Sequence, residues 1–307
     1  MLYSKYMKTM IKQMEEKDFT PQTIKVYMER LYLLNGHKKW TSMVFLRDTE
    51  TMLNLLKDKY AISSQKSYLG TLISVLNLKP IKSNKKASDI YLKYLTDDIM
   101  PSFNKVKGEK TEKQKENWIT REEIEAVKKE YSDKADEVIK GRIGRKQYDI
   151  LLENMILSMF VNLPPRRAKD YVLMKLDDGE TEQDPKYNYY DGTEFTFNEY
   201  KTKKTNGQEK VQVPKVVKND IAMYLDKTES LDKEFLITTY NGKPFSIINE
   251  MTRRLNKIFG GRKISVDMLR NMYYSHKYGD IKANIIQDAK HMGTSMNNAI
   301  NTYTKIE

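Results

Sequence analysis

The stretch FNEYKTKKTNGQEKVQVP, Phe197–Pro214, decides how the chain is read. Its residues alternate about an Asn206-Gly207 dipeptide, the signal for a tight turn between two strands. Upstream, Asp191-Gly192 marks a second such turn. Tyr187–Tyr190, Glu194–Lys204 and Lys210–Pro214 therefore predict a three-stranded antiparallel sheet, with Lys201, Lys203 and Lys204 on one strand beside the turn. The sequence on either side reads as helix. The expected fold class is mainly α with a small antiparallel β-sheet.

Working outward, Thr120-Arg-Glu-Glu123 has the form of a capping box, and Tyr148–Val161 is apolar enough for a buried central helix. Helices return from Val217 to the end, broken at Asn241-Gly242 and Gly260-Gly261. Towards the N-terminus, Thr20-Pro21 is a helix start. Ile24, Tyr27, Leu31 and Leu34 follow on one face, and Asn35-Gly36 stops the helix. A second helix follows Asp48, with Met52, Leu55 and Leu56 as its apolar side. A third begins at Ser63 or Ser64 and carries Leu69, Leu72, Ile73 and Leu76. With Tyr6–Met14 these predict a bundle of about four helices. The stretch NKVKGEKTEKQKEN, Asn104–Asn117, is almost wholly charged or polar and reads as an exposed linker. The expected organisation is a helical bundle over 1–103, a charged linker over 104–117 and a mixed domain over 118–307.

The 307 residues leave room for two such domains. Lys and Arg exceed Asp and Glu by 54 − 42, giving a net charge of +12 and a pI near 9.3. That balance suits a polyanionic partner, nucleic acid first. A lysine-rich, AT-biased genome produces the same balance with no such partner. The chain has no Cys, which excludes disulfides, thiolate zinc sites, iron–sulfur clusters and a cysteine nucleophile. Its three His, at 37, 276 and 291, have no metal-ligand spacing, so neither metal nor cofactor is expected. The longest apolar stretch, near Met155–Val161, is interrupted by Ser158 and is too short to cross a membrane. The N-terminal MLYSKYMKTMIKQMEEK lacks the apolar segment of a secretory signal, so an intracellular location without a membrane partner is expected.

Four elements carry chemistry. LPPRRAKDYVLMKL, Leu163–Leu176, places Arg167 at a helix start with Asp170 three residues on. An arginine beside a buried segment is paired or aimed at an anion; pairing with Asp170 is the plain alternative. The Lys-rich hairpin is the second element, and an ordinary solvated loop is its plain alternative. ISVDMLRNMYYSH, Ile264–His276, sets Asp267 and Arg270 on one helical face, where a local ion pair would explain both. In DAKHMGTSMNNAINTYTKIE, Asp288–Glu307, Met292-Gly-Thr-Ser295 breaks the helix, Ser295 can cap the next, and Tyr303 lies late on it. With 21 Tyr in the chain, packing is the plain alternative for any one of them.

In this order and spacing the elements resemble the tyrosine recombinase (phage-type integrase) family. Its members carry an Arg in a motif such as TGLRxSE-L, a hairpin Lys, HxLR, LGHxS and a nucleophilic Tyr. Arg167-Ala-Lys-Asp170-Tyr matches the first motif. Lys201 is the best match for the hairpin Lys, with Lys203 and Lys204 as alternates. Asp267-Met-Leu-Arg270 occupies HxLR, Met292-Gly-Thr-Ser295 occupies LGHS, and Thr294 to Tyr303 keeps the family spacing of nine. The resemblance covers nearly the whole chain, since the N-terminal bundle and basic linker are similar to the family's core-binding domain. The forms PPRRxxDY and NxYKTxKTNG look like viral or mobile-element members. Both family His positions are replaced, by Asp267 and Thr294, while His276 and His291 lie near the motifs but off the spacing; His291 is the alternate.

The resemblance implies metal-free cleavage and rejoining of DNA through a 3′-phosphotyrosyl intermediate on Tyr303. Arg167 and Arg270 would clamp the non-bridging oxygens of the attacked phosphate. Lys201 would protonate the leaving 5′-oxygen. Asp267 would accept a proton or orient Arg270, and Thr294 would keep one hydroxyl donor. Loss of general acid–base groups worth about 10²–10⁴-fold each leaves room for a slow enzyme. The implied partner is double-stranded DNA, with a monomer or weak dimer free and a homo-tetramer on paired sites. Four residues follow Tyr303 here, so either the Tyr-bearing helix is itself exchanged or DNA holds the protomers together. Phosphate contacts are expected from Lys25, Arg30 and Lys66 in the bundle and from Arg253, Arg254, Lys257 and the hairpin lysines in the second domain. Two rivals stand beside this reading. One is a type IB topoisomerase, whose SKxxY context is absent. The other is a catalytically inactive DNA-binding protein on the same scaffold.

Overall fold

Helix caps written in the sequence set the first elements. The computed structural model describes residues 4–78, 82–105, 108–229, 233–245 and 248–305. The chain divides into two compact units, Met1–Lys110 and Thr111–Glu307. In unit 1 the Ser4 hydroxyl accepts from Met7 N to start α1 (Lys5–Glu16), and Thr20 does the same for α2 (Pro21–Leu34) through Thr23 N. Asp48 caps α3 (Thr49–Lys59). α4 (Ile62–Leu76) starts just before the expected serines, on Ala61 and without a side-chain cap. Met7, Met10 and Met14 of α1 are buried against Met28, Leu31, Leu56 and Leu72. Unbranched methionines fill the irregular space between helices that cross at different angles.

The bundle is larger than four helices. α5 (Lys82–Tyr94), a π-helical turn over Leu95–Ile99 and α6 (Met100–Lys105) complete it. The sequence hides α5 because polar residues dominate it. Two side chains hold it instead: Ala87 and Tyr91 are buried, and Tyr91 Oη donates to Leu46 O at 2.8 Å.

The charged stretch is not extended throughout. Residues 106 and 107 lie outside the described residues, but Glu112–Asn117 form α7. A capping box between Thr111 and Gln114 nucleates it. Asn117 is buried, and its Oδ1 accepts from Lys263 N at 2.7 Å, so this end of the stretch belongs to unit 2.

In unit 2 the Thr120–Glu123 capping box starts α8 (Arg121–Val138). α9 (Arg145–Val161) is buried over most of its length and forms the centre of the unit's core. Its one buried acid, Glu153, is 1% exposed and takes Arg254 and Lys257, each at 2.8 Å. α10 (Ala168–Val172) leads into a four-stranded mixed sheet of order β1-β2-β3-β4. β2 (Tyr189–Tyr190), β3 (Glu194–Phe197) and β4 (Glu209–Gln212) pair antiparallel. β1 (Lys175–Leu176) adds a parallel edge to β2 that no local pattern announced.

β3 also stops earlier than expected, at Phe197. The Asn188 side chain accepts from Asn198 N and Glu199 N, and Tyr200 Oη donates to Gly207 O, which folds residues 198–208 into a closed tip. Lys203 and Lys204 therefore lie on the short α11 (Lys203–Asn206), and Lys201 on the loop before it, not on a strand. Gly207, at φ +72°, takes the left-handed conformation the turn requires. α12 (Lys215–Lys227), α13 (Ile248–Ile258) and α14 (Val266–His291) follow, with α13 ended by Gly260-Gly261. α15 (Met296–Asn298) and a π-helical turn over Ala299–Tyr303 close the chain. No described helix is long and apolar enough to cross a membrane.

Lys233 sits over the Tyr224 ring at 3.8 Å and donates to Thr228. Burial pulls its ammonium down to about 7 from an ordinary 10.5. A folded value below the unfolded one means stability is lost as pH falls from 10.5 towards 7. Lys233→Met should therefore be more stable than the parent at neutral pH. The difference should close as pH rises towards 10.5, read by thermal melts across that range.

Candidate functional site

α9 ends where Asn162 turns its amide back onto Ser158 O at 3.2 Å. Leu163-Pro-Pro165 then holds the chain extended and delivers two adjacent arginines to different tasks. Arg166 stacks on Phe197 at 3.8 Å and Tyr200 at 4.8 Å. It binds Asp170 at 3.2 Å and Glu209 at 2.5 Å. The plain alternative for Arg167, an ion pair with Asp170, is thus taken by its neighbour at i,i+4 spacing. Burial raises the Asp170 carboxyl above its ordinary value against the pull of Arg166 and Arg167. Arg166 holds the Glu209 carboxyl below its own. Sequence reasoning passed over Arg166, although its i,i+4 relation to Asp170 was legible.

Arg167, the residue before α10, has no side-chain partner among the described residues. Arg270 lies one turn into α14, where neighbouring Leu269 and Tyr273 line a cavity with Phe160, Val161 and Asn162, the segment leading to Arg167. Its Nη1 reaches Asp267 Oδ1 at 3.2 Å, and its Nε is buried without a partner. Asp267 is itself 81% exposed, so this ion pair is weak.

The contrast within the unit is sharp. Four of its arginines, 166, 167, 254 and 270, are partly withdrawn from solvent. Arg166 and Arg254 each bind two carboxylates, the latter Asp149 at 2.7 Å and Glu153 at 2.8 Å. Arg270 has one exposed carboxylate and an idle Nε; Arg167 has none. A half-desolvated guanidinium without an anion is costly unless one arrives.

The hairpin tip lies beside this pair. Tyr200 and Glu209 of the tip hold Arg166, and Lys169 approaches Glu199 at 4.0 Å. Lys201 is exposed and has no partner among the described residues, which leaves its amine mobile. Lys203 is held by Glu199 at 3.6 Å.

The other end of the constellation is elsewhere. α14 is continuous for 26 residues, and at 1.5 Å per residue Arg270 and His291 are about 30 Å apart. Thr294 and Tyr303 follow beyond it, and Tyr303 is 59% exposed. His276 instead packs against the Trp118 ring. Within one chain the structure therefore groups Arg167, Lys201, Asp267 and Arg270, but not His291, Thr294 or Tyr303. The second half of α14 carries Tyr274, Tyr278 and Ile281 exposed, with Ile285 and Met292 continuing the same stripe at helical spacing.

The expected DNA contacts divide as well. Arg254 and Lys257 hold Glu153, and Arg30 donates to Ser67 O and Thr71 Oγ1, each at 2.9 Å. Lys66 sits over Phe103 at 4.4 Å. Lys25 and Arg253 are exposed. Among the described residues no cluster of His, Asp and Glu could hold a metal ion. Comparison of the chain with family models, with curated proteins and with solved structures returned no match.

Proposed function

We propose that the chain is a DNA strand transferase of the tyrosine recombinase type, acting at specific sites. The observation that carries this reading is the pair of uncommitted guanidiniums, Arg167 and Arg270, beside a free Lys201. Together they form a receptor for one phosphodiester. In the reaction the Tyr303 Oη attacks phosphorus and the bond to the 5′-oxygen breaks. Lys201 gives that oxygen its proton, and the phenol proton leaves to Asp267 or water. Arg167 and Arg270 stabilise the charge that grows on the non-bridging oxygens, more strongly than lysines would, because each guanidinium binds two of them at once. The 3′-phosphotyrosyl bond stores the energy for rejoining, with no cofactor.

The long α14 favours delivery of Tyr303 to a second copy. Its exposed stripe needs a protein surface, and the tail that bears Thr294 and Tyr303 points away from its own arginines. The test is complementation. Arg167→Ala and Tyr303→Phe are each incubated with nicked duplexes tiling the DNA that flanks the coding sequence, then mixed. Each alone should give no covalent protein–DNA adduct, and the mixture should restore it. A silent mixture beside an active parent would place the tyrosine in its own chain's site.

The separation of Tyr303 from Arg270 is also what favours the second reading, a DNA-binding protein without catalysis. That reading expects tight, salt-sensitive DNA binding and no adduct from any combination.

A further inference from the structure

A cavity of about 660 Å³ opens beside the hairpin tip, and nothing in the strand-transfer chemistry uses it. Its walls combine two characters. Leu173, Tyr187 and Phe245 give an apolar floor, and Leu173 remains 47% exposed. Lys169, Lys186 and Lys243 stand around it, and the latter two have no side-chain partner among the described residues. Glu199 is the one acid in the lining, and it already faces Lys169 and Lys203 at 4.0 and 3.6 Å. The balance is cationic over an apolar, partly aromatic floor. Such a site fits a flat aromatic group that carries negative charge at its edge, as a nucleotide does; its size is that of a small-ligand pocket.

The polar wall decides what kind of recognition is available. Asn188 lines the cavity, but its amide is fully occupied. Nδ2 donates to Asp170 O at 2.7 Å and Glu199 O at 3.0 Å, and Oδ1 accepts from Asn198 N and Glu199 N. It has no donor or acceptor left to read a base edge. The cavity also joins the proposed site directly. Lys169 is two residues from Arg167, and Glu199 two from Lys201.

We propose that this cavity takes one unstacked nucleotide of the bound strand, its base against Leu173, Tyr187 and Phe245 and its flanking phosphates on Lys169, Lys186 and Lys243. The occupant is held by stacking and charge and not by base identity. This rests on the DNA reading above and extends it from one phosphate to a neighbouring nucleotide.

The test uses the full chain and duplexes carrying 2-aminopurine at successive positions around the nick, with binding followed in parallel by anisotropy. Fluorescence should rise at one position on binding, whichever natural base stands there. Leu173→Trp, which fills the mouth from an exposed position, should abolish that rise. Lys186→Ala with Lys243→Ala should weaken binding about 5- to 150-fold, the range for loss of one held base. DNA binding without a rise at any position would overturn the pocket and leave the strand-transfer reading standing. An absence of DNA binding would overturn both. A free deoxynucleoside monophosphate that saturates the cavity while bound DNA shows no rise would make it a small-molecule site and contradict the proposal.

Discussion

Replacing Arg167 with alanine should leave the melting temperature unchanged and lower strand cleavage by about 10²–10³-fold, the usual cost of removing one preorganised donor to a charged transition state. The fold makes no use of this guanidinium, so its loss opens no ion pair and strands no acid. Arg270→Ala should cost as much in cleavage, since its idle Nε is the donor left over for a phosphate oxygen. Lysine at either position should recover little, because a point charge cannot hold two oxygens in the geometry of a guanidinium. A single-turnover assay on nicked duplex, run beside a thermal melt, separates these effects. A drop in melting temperature for Arg167→Ala as large as for its neighbour would show that the arginine is structural.

The neighbour should behave in the opposite way. Arg166→Ala removes the only cation hydrogen-bonded to Asp170, whose side chain is 3% exposed and whose Oδ1 already lacks a partner. It also strips the stacked guanidinium from Phe197 and Tyr200 and frees Glu209, which loosens the base of the hairpin. Breaking a buried pair from one side costs about 3–5 kcal/mol, a large share of the stability of a domain this size. The pH dependence gives the cause. Burial already raises the Asp170 carboxyl, and without Arg166 it rises further. A raised folded value means the protonated acid is tolerated in the fold, so stability returns as pH falls through it. The deficit of Arg166→Ala against the parent should therefore shrink as pH falls from neutrality towards the carboxylate range. A deficit that stays constant would place the loss in packing and not in the stranded charge.

Adjacent arginines with opposite fates show where reading the sequence succeeds and stops. Caps, turn dipeptides and the apolar run of α9 are local signals, and they placed Thr20, Thr120, Tyr148–Val161, Gly207 and Gly260-Gly261 correctly. α5 escaped because its two anchors, Ala87 and Tyr91, make no periodic stripe, and β1 because a parallel pair has no local turn to announce it. The candidate site was legible as residue types in order, not as pairings. Which arginine takes Asp170 depends on a carboxylate 43 residues away, Glu209, that fixes Arg166 first. Arg254 and Lys257 looked free for DNA because their acid, Glu153, lies more than 100 residues upstream. The continuity of α14 was hidden for another reason: its second half has helical periodicity but no core of its own to face.

The central claim is that Tyr303 forms a covalent bond to DNA. The direct measurement is to incubate the purified chain, with Tyr303→Phe beside it, on nicked duplexes tiling the DNA that flanks the coding sequence, and to look for a protein–DNA species that survives denaturation. The account predicts an adduct with at least one duplex, formed without added metal and absent with Tyr303→Phe. An adduct that persists in Tyr303→Phe, or tight salt-sensitive binding with no adduct on any duplex, would contradict it.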